Sequence, residues 1–166
     1  MITTILLSLA GCALLFLGIW GVTVTMPTKL LARNFPEDVQ EQLKPRLDSL
    51  PMSPRRALGW IILILFCLAY IGLFAIGGID GLRKGFSFWQ FFLRFVIIGG
   101  VIKAFDIGAL DYFLLTKTHF FQHYFPETEG CAGWQDFGYN RKQQARQTIM
   151  IVVGSLITAW IFAMLA

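Results

Sequence analysis

Lys103, Asp106 and Asp111 stand inside an otherwise apolar run, residues 96–115, which also holds eleven Val, Ile, Leu and Phe residues. Near the centre of a spanning helix each charged side chain costs about 2.5–3.5 kcal/mol, roughly 7–10 in all, while the eleven apolar ones return about 3–7. Such a helix cannot rest comfortably against lipid on every side. At about 100° per residue, Asp106 falls about 60° to one side of Lys103 and Asp111 about 80° to the other. One cation flanked by two carboxylates makes a single polar face, which must turn toward a bundle interior or a wet cavity. Lys103 and Asp106 can neutralise each other as an i,i+3 ion pair. The remaining carboxylate could then take up a proton, a cation or a substrate amine. Asp111 is the expected critical residue of this group.

A second group follows in the chain. His119 and His123 are four residues apart, so on a helix both imidazoles share the face that a divalent ion of the zinc, manganese or iron kind requires. Glu127 and Glu129 could add carboxylate ligands. The H-E-x-x-H pattern of a metalloprotease is absent, and no cysteine pair recurs at zinc spacing. A bis-His haem would need axial ligands on facing helices rather than one turn apart. Farther on, Trp134, Asp136, Tyr139 and Asn140 mix rings, carboxylate and amide around Gly138. They are candidate binding residues that could cap a cavity, or an interfacial turn that anchors the next helix. Cys12 and Cys67 read as small apolar residues within helices, and Cys131 as a reduced thiol.

The elements that carry these groups follow from composition. Of 166 residues, 56% are hydrophobic and 14% charged, against about 45–50% and about 25% in a soluble domain. The chain reads as an all-α membrane bundle, a single domain over residues 1–166 with four spans. They cover about 5–24, 58–79, 96–115 and 148–166, with cytoplasmic loops over 26–57 and 116–146. No separate soluble catalytic domain fits in the remainder. The first span lacks the basic start and small-residue cleavage site of a signal peptide and is expected to remain a permanent helix. Ser53 and Pro54 suit the N-cap and first position of the second span, and Gly77, Gly78 and Gly81 are expected to mark its end. The aromatic stretch 86–95 is assigned to the interface, with Arg94 an outer anchor.

Basic residues set the expected orientation. The two long loops hold ten Lys and Arg residues, while the remaining connection holds Arg83 and Lys84, which places both loops in the cytoplasm and both termini outside. Trp20 and Trp60 then sit near the inner interface, Trp89 and Trp160 near the outer one. The charge of +4 is accounted for by topology and anionic lipid, and nucleic-acid binding is a poor reading. The first loop is expected to hold a helix capped by Asn34, with Glu37 and Asp38 in its first turn, a Val39/Leu43/Leu47/Leu50 stripe, and a kink at Pro45. Phe35-Pro36-Glu37 and Phe125-Pro126-Glu127 match at an offset of 90, as do Arg56 and Arg146. That pattern suggests duplicated hairpins related by an axis along the membrane normal.

Ala104-Phe105-Asp106, Asp111-Tyr112-Phe113-Leu114-Leu115, Tyr124-Phe125-Pro126-Glu127 and Phe137-Gly138-Tyr139-Asn140 resemble a small bacterial, Firmicutes-type family of four-span membrane proteins without an assigned activity. The resemblance covers the second half of the chain. It implies a bacterial cytoplasmic membrane and no particular chemistry. The residues themselves favour a binding or transport-related protein, its site joining the Lys103/Asp106/Asp111 face to the His119–Glu129 loop. Two further readings stand beside it. One is a membrane-embedded, metal-dependent enzyme acting on a lipid or isoprenoid headgroup, with Asp111, His119, His123 and Glu127 as ligands or acid/base groups. The other is a structural or regulatory subunit. A homo-oligomer or larger complex is expected, because Gly99-Gly100 permits close helix approach.

Overall fold

A computed structural model of the chain describes residues 1–25, 32–49 and 53–166. Leu50 of the expected first-loop stripe lies outside the described residues. The secondary structure is helical, with no strand among the described residues. Three helices are long and apolar enough to cross a membrane: α1 (Ile2–Thr25), α3 (Pro54–Arg83) and α6 (Arg141–Met164). Between them lie α2 (Glu37–Ser49), α4 (Phe88–Phe105), a π-helical run (Asp106–Leu115), the short α5 (Phe120–Tyr124), and two 3-10 turns, Pro126–Thr128 and Ala132–Gln135.

Three hydroxyls of α1 are satisfied within the helix itself. In α1, Ser8 donates its hydroxyl to the Thr4 carbonyl, Thr23 to Ile19 and Thr25 to Gly21 at 2.6–2.9 Å, as hydroxyls on an apolar helix must when no water is at hand. The apolar stretches of α1, α3 and α6 are only 22%, 17% and 11% buried. Their outer faces suit lipid. Ser53 caps α3 by accepting the Arg56 N–H at 3.3 Å. The helix does not stop at Gly77, Gly78 or Gly81. It ends at Arg83, where Gly85 (φ +64) takes the left-handed conformation and its N–H reaches the Leu82 carbonyl, while the Phe86 N–H reaches that of Gly81. This paired closure needs a residue without Cβ at Gly85. The three earlier glycines serve packing instead: a Cβ on Gly78 would strike the Phe162 ring, and one on Gly81 the Phe91 ring.

The described chain divides into two compact units. The first comprises Met1–Leu15, Phe66–Asp106 and Lys142–Ala166. Its core has one group around Leu7, Cys12, Leu73, Ile98 and Ile102 and another around Phe91, Phe95 and Ala159, with Phe162 packed against the latter. The residues of α4 that turn inward are Phe91, Arg94, Phe95, Ile98, Gly99, Ile102 and Lys103, which follow the i, i+3, i+4, i+7 spacing of an amphipathic helix. That pattern begins within the aromatic stretch assigned to the interface, and α4 continues through Phe95–Val96 without a break.

The second unit comprises Phe16–Leu65 and Ile107–Arg141, and its core is aromatic. Phe121 and Trp134 stack with centroids 5.7 Å apart and planes 2° from parallel, and Phe35 meets both edge-on at 4.9 and 5.0 Å. Val39, Leu43 and Leu47 of α2 close the cluster with Leu115 and Phe125. The stripe of α2 is therefore spent on the second long loop. The two Phe-Pro-Glu segments diverge, the first opening a helix of 13 residues and the second a 3-10 turn of three.

Candidate functional site

Lys103 lies in the last turn of α4, and its side chain is 9% exposed. Its ammonium donates to Asp106 Oδ2 at 2.7 Å and to the amide oxygen of Gln147 on α6. The i,i+3 pair expected from the sequence is present, and a neutral acceptor completes it. A buried ammonium is tolerable only when paired and hydrogen-bonded, and Asp106 and Gln147 meet that requirement together. Tyr70 belongs to the same unit. Its hydroxyl donates to the Gly11 carbonyl at 2.8 Å and lies within electrostatic reach of the Asp106 carboxylate.

At Asp106 the backbone changes character. The Asp106 N–H is shared between the Ile102 and Lys103 carbonyls, and a π-helix follows for ten residues. Its i→i+5 bonds put more residues into each turn than the 3.6 of an α-helix. The α-helical arithmetic that set Asp111 on one face with Lys103 stops applying at this junction. Asp111 instead accepts the amide of Asn140 at 3.0 Å, which joins two residues that sequence reasoning had assigned to different candidate groups.

The expected metal group is arranged otherwise. The His123 N–H donates to the His119 carbonyl at 3.0 Å, so the two residues are one turn apart as their spacing requires. Both are exposed. Glu127 is held by Arg46, its carboxylate oxygens 2.8 and 3.1 Å from one guanidinium nitrogen, and Glu129 ends the 3-10 turn. Among the described residues no group of three His, Cys, Asp or Glu side chains gathers at metal-ligand distance.

Of the remaining candidates, Trp134 is 2% exposed and gives its indole N–H to the Thr128 carbonyl and hydroxyl at 3.1 and 3.2 Å. It is a core residue and presents no ring face to a ligand. Asp136 is exposed at the end of the turn Ala132–Gln135. Tyr139 donates its hydroxyl to the Asn34 carbonyl. Gly133 N–H donates to Asp38 Oδ2 at 2.8 Å, a bond that ties α2 to the turn. Burial, reinforced by the Asp38 carboxylate, pushes the nearby Cys131 thiol above its ordinary pKa.

A third polar group escaped sequence reasoning. Arg94 is not an outer anchor: its side chain is 2% exposed, it meets Asp80 at 2.8 Å, donates to the Gly77 carbonyl at 2.6 Å, and lies 4.2 Å from the centre of the Phe86 ring. Lys84 also reaches Asp80 at 2.8 Å. The signal was available, because a helix–turn–helix folded at Gly85 brings residues on either side of the turn to the same level. No family model, curated protein or solved structure matches the chain.

Proposed function

We propose that this is a four-span protein of a bacterial cytoplasmic membrane that binds a small polar ligand, as a carrier or as the binding subunit of a transport assembly. The ligand site is centred on Lys103, Asp106 and Gln147. The carrying observation is the Lys103 side chain, only 9% exposed, with its ammonium bonded to Asp106 and Gln147, in a helix whose other inward residues are mainly apolar. Ionisable groups retained at membrane depth despite their cost mark ligand or ion pathways by default. The π-helical run beginning at Asp106 supports the same reading, since such irregular turns concentrate at functional sites.

In this reading α4 and the π run form the fourth crossing, together with the three helices long and apolar enough to span. Ten basic residues in the two long loops against Arg83 and Lys84 in the remaining connection set both termini outside. Trp20, Trp60, Trp89 and Trp160 are all more than 40% exposed, as anchors at the two interfaces would be. Gly99 packs against Ile151 of the same chain, while Gly100 has open space where a Cβ would stand, a small-residue surface on which a second copy or a partner helix could approach closely.

The test compares wild type with a Lys103→Met/Asp106→Leu double variant, which removes both charges and strands neither. Both are reconstituted in liposomes for proton and small-cation flux, and both are analysed by mass spectrometry for co-purified small molecules. Wild type is expected to show a flux or a bound compound that the folded double variant lacks. Identical behaviour of the two proteins in every assay would sink the proposal.

A further inference from the structure

We infer that the second unit carries a phosphate-binding site, distinct from the Lys103 group, in a cavity of about 330 Å³ lined by Arg46, Arg55, Arg56 and His123 with Ser53 and the end of α1 at Thr23–Thr25. Three arginines and His123 line this one space, and Arg46 is also paired with the Glu127 carboxylate at 2.8 Å. Guanidinium groups present planar, forked donors that match phosphate oxygens two at a time. The Thr23 and Thr25 hydroxyls are bonded back into α1, so donors to a phosphate come from the arginines, His123 and the Ser53 hydroxyl.

Position argues for the same ligand. The cavity lies where α1 ends and α3 begins, the level at which a membrane-length helix meets the headgroup plane. Anionic headgroups gather on the side that carries the basic loops. Arg46 is fixed in place: besides Glu127 it donates to the Tyr124 carbonyl at 3.3 Å and sits 5.5 Å from the centre of the Phe125 ring. It is preorganised for an anion, whereas Arg55 is exposed and can swing in. The ligand class is a phosphate group, presented either by an anionic phospholipid or by a free phosphate ion.

The experiment uses the full chain in detergent, observed intact by native mass spectrometry with phosphatidylglycerol or phosphatidylcholine added, with and without inorganic phosphate. One phosphatidylglycerol per chain is expected to be retained in preference to phosphatidylcholine. Arg55→Gln should weaken that retention by about fivefold, the scale of one basic group near an anionic surface. Glu127→Gln keeps an acceptor for Arg46 but removes the opposing charge, so it should tighten retention, a gain that misfolding cannot imitate. Displacement of the lipid by inorganic phosphate, or direct phosphate binding lost in Arg55→Gln, would identify the free ion as the ligand and also support the site. Retention unchanged in Arg55→Gln, Arg55→Gln/Arg56→Gln and Glu127→Gln, with no effect of phosphate, would overturn it.

Discussion

Arg94 and Asp80 face each other across the turn at Gly85, 2.8 Å apart, and their burial is unequal: the guanidinium side chain is 2% exposed and the carboxylate 25%. The carboxylate has a second cation in Lys84, itself 48% exposed, whereas no other carboxylate is bonded to Arg94 among the described residues. The pair is therefore asymmetric in what its loss leaves behind.

Asp80→Asn should destabilise the protein more than Arg94→Met. The first strands a buried guanidinium, a loss of about 3–5 kcal/mol. The second leaves Asp80 with Lys84 and costs less. Thermal unfolding in detergent, followed by circular dichroism, should give the larger drop in Tm for Asp80→Asn; the reverse order would contradict the burial argument.

Lys103→Met alone should behave worse than Lys103→Met/Asp106→Leu. The single variant leaves a carboxylate in a poorly hydrated place, and the double variant removes the desolvation of both charges. Extending the replacement to Asp111→Leu should still give a folded protein, at some cost from the Asn140 amide it deserts. If the site is functional, that triple variant is inactive in whichever flux or binding assay reports on the wild type.

Trp134→Ala should cost about 3–5 kcal/mol, the usual figure for truncating a buried aromatic, and should abolish the near-ultraviolet signal of the aromatic cluster. Trp134→Phe keeps the stack on Phe121 but loses the donor to Thr128, and should fall between the two. Little change in either variant would show that the cluster is not the core of its unit.

Cys131 should react slowly with maleimide at neutral pH. Burial and the Asp38 carboxylate hold its thiol above the ordinary pKa, so less thiolate is present at any given pH and the rate profile shifts to higher pH than that of a free cysteine, about 8.5. Asp38→Asn should move the profile part of the way back. In a Cys12→Ala/Cys67→Ala background, an impermeant maleimide should label Cys131 only after lysis. Labelling in intact cells would invert the proposed orientation.

How much of this was legible beforehand depended on the range of the interaction. Uniformly apolar runs announce α1, α3 and α6 because length and composition alone decide them, and the α2 stripe announces itself through its period. Trp134 is another matter. In a local window nothing marks it off from Trp20 or Trp60, and what separates them is contact with Phe35, roughly a hundred residues earlier in the chain. Arg94 was misplaced because its face was judged on its own helix, while its partner Asp80 sits on the preceding one. The π-helical turn at Asp106 has no propensity signature, so the 100°-per-residue arithmetic that related Asp111 to Lys103 could not anticipate the change of pitch between them. Lys103 with Asp106 is local, and it was found.

The bond from the Gly133 N–H to Asp38 spans 95 residues, and it dates the second unit's completion during synthesis. α2 emerges from the ribosome long before the segment that covers it. At about 5–20 residues per second, the Val39/Leu43/Leu47 stripe waits roughly 5–20 s for Phe121 and Trp134 to arrive. During that interval α3 and α4 are made, while the amphipathic α2 stands without the segment that covers it. The nascent chain must therefore shelter the stripe elsewhere, against the lipid surface or a chaperone, and release it when the second loop appears. Translation that halts before Phe121 leaves the stripe without its aromatic cover.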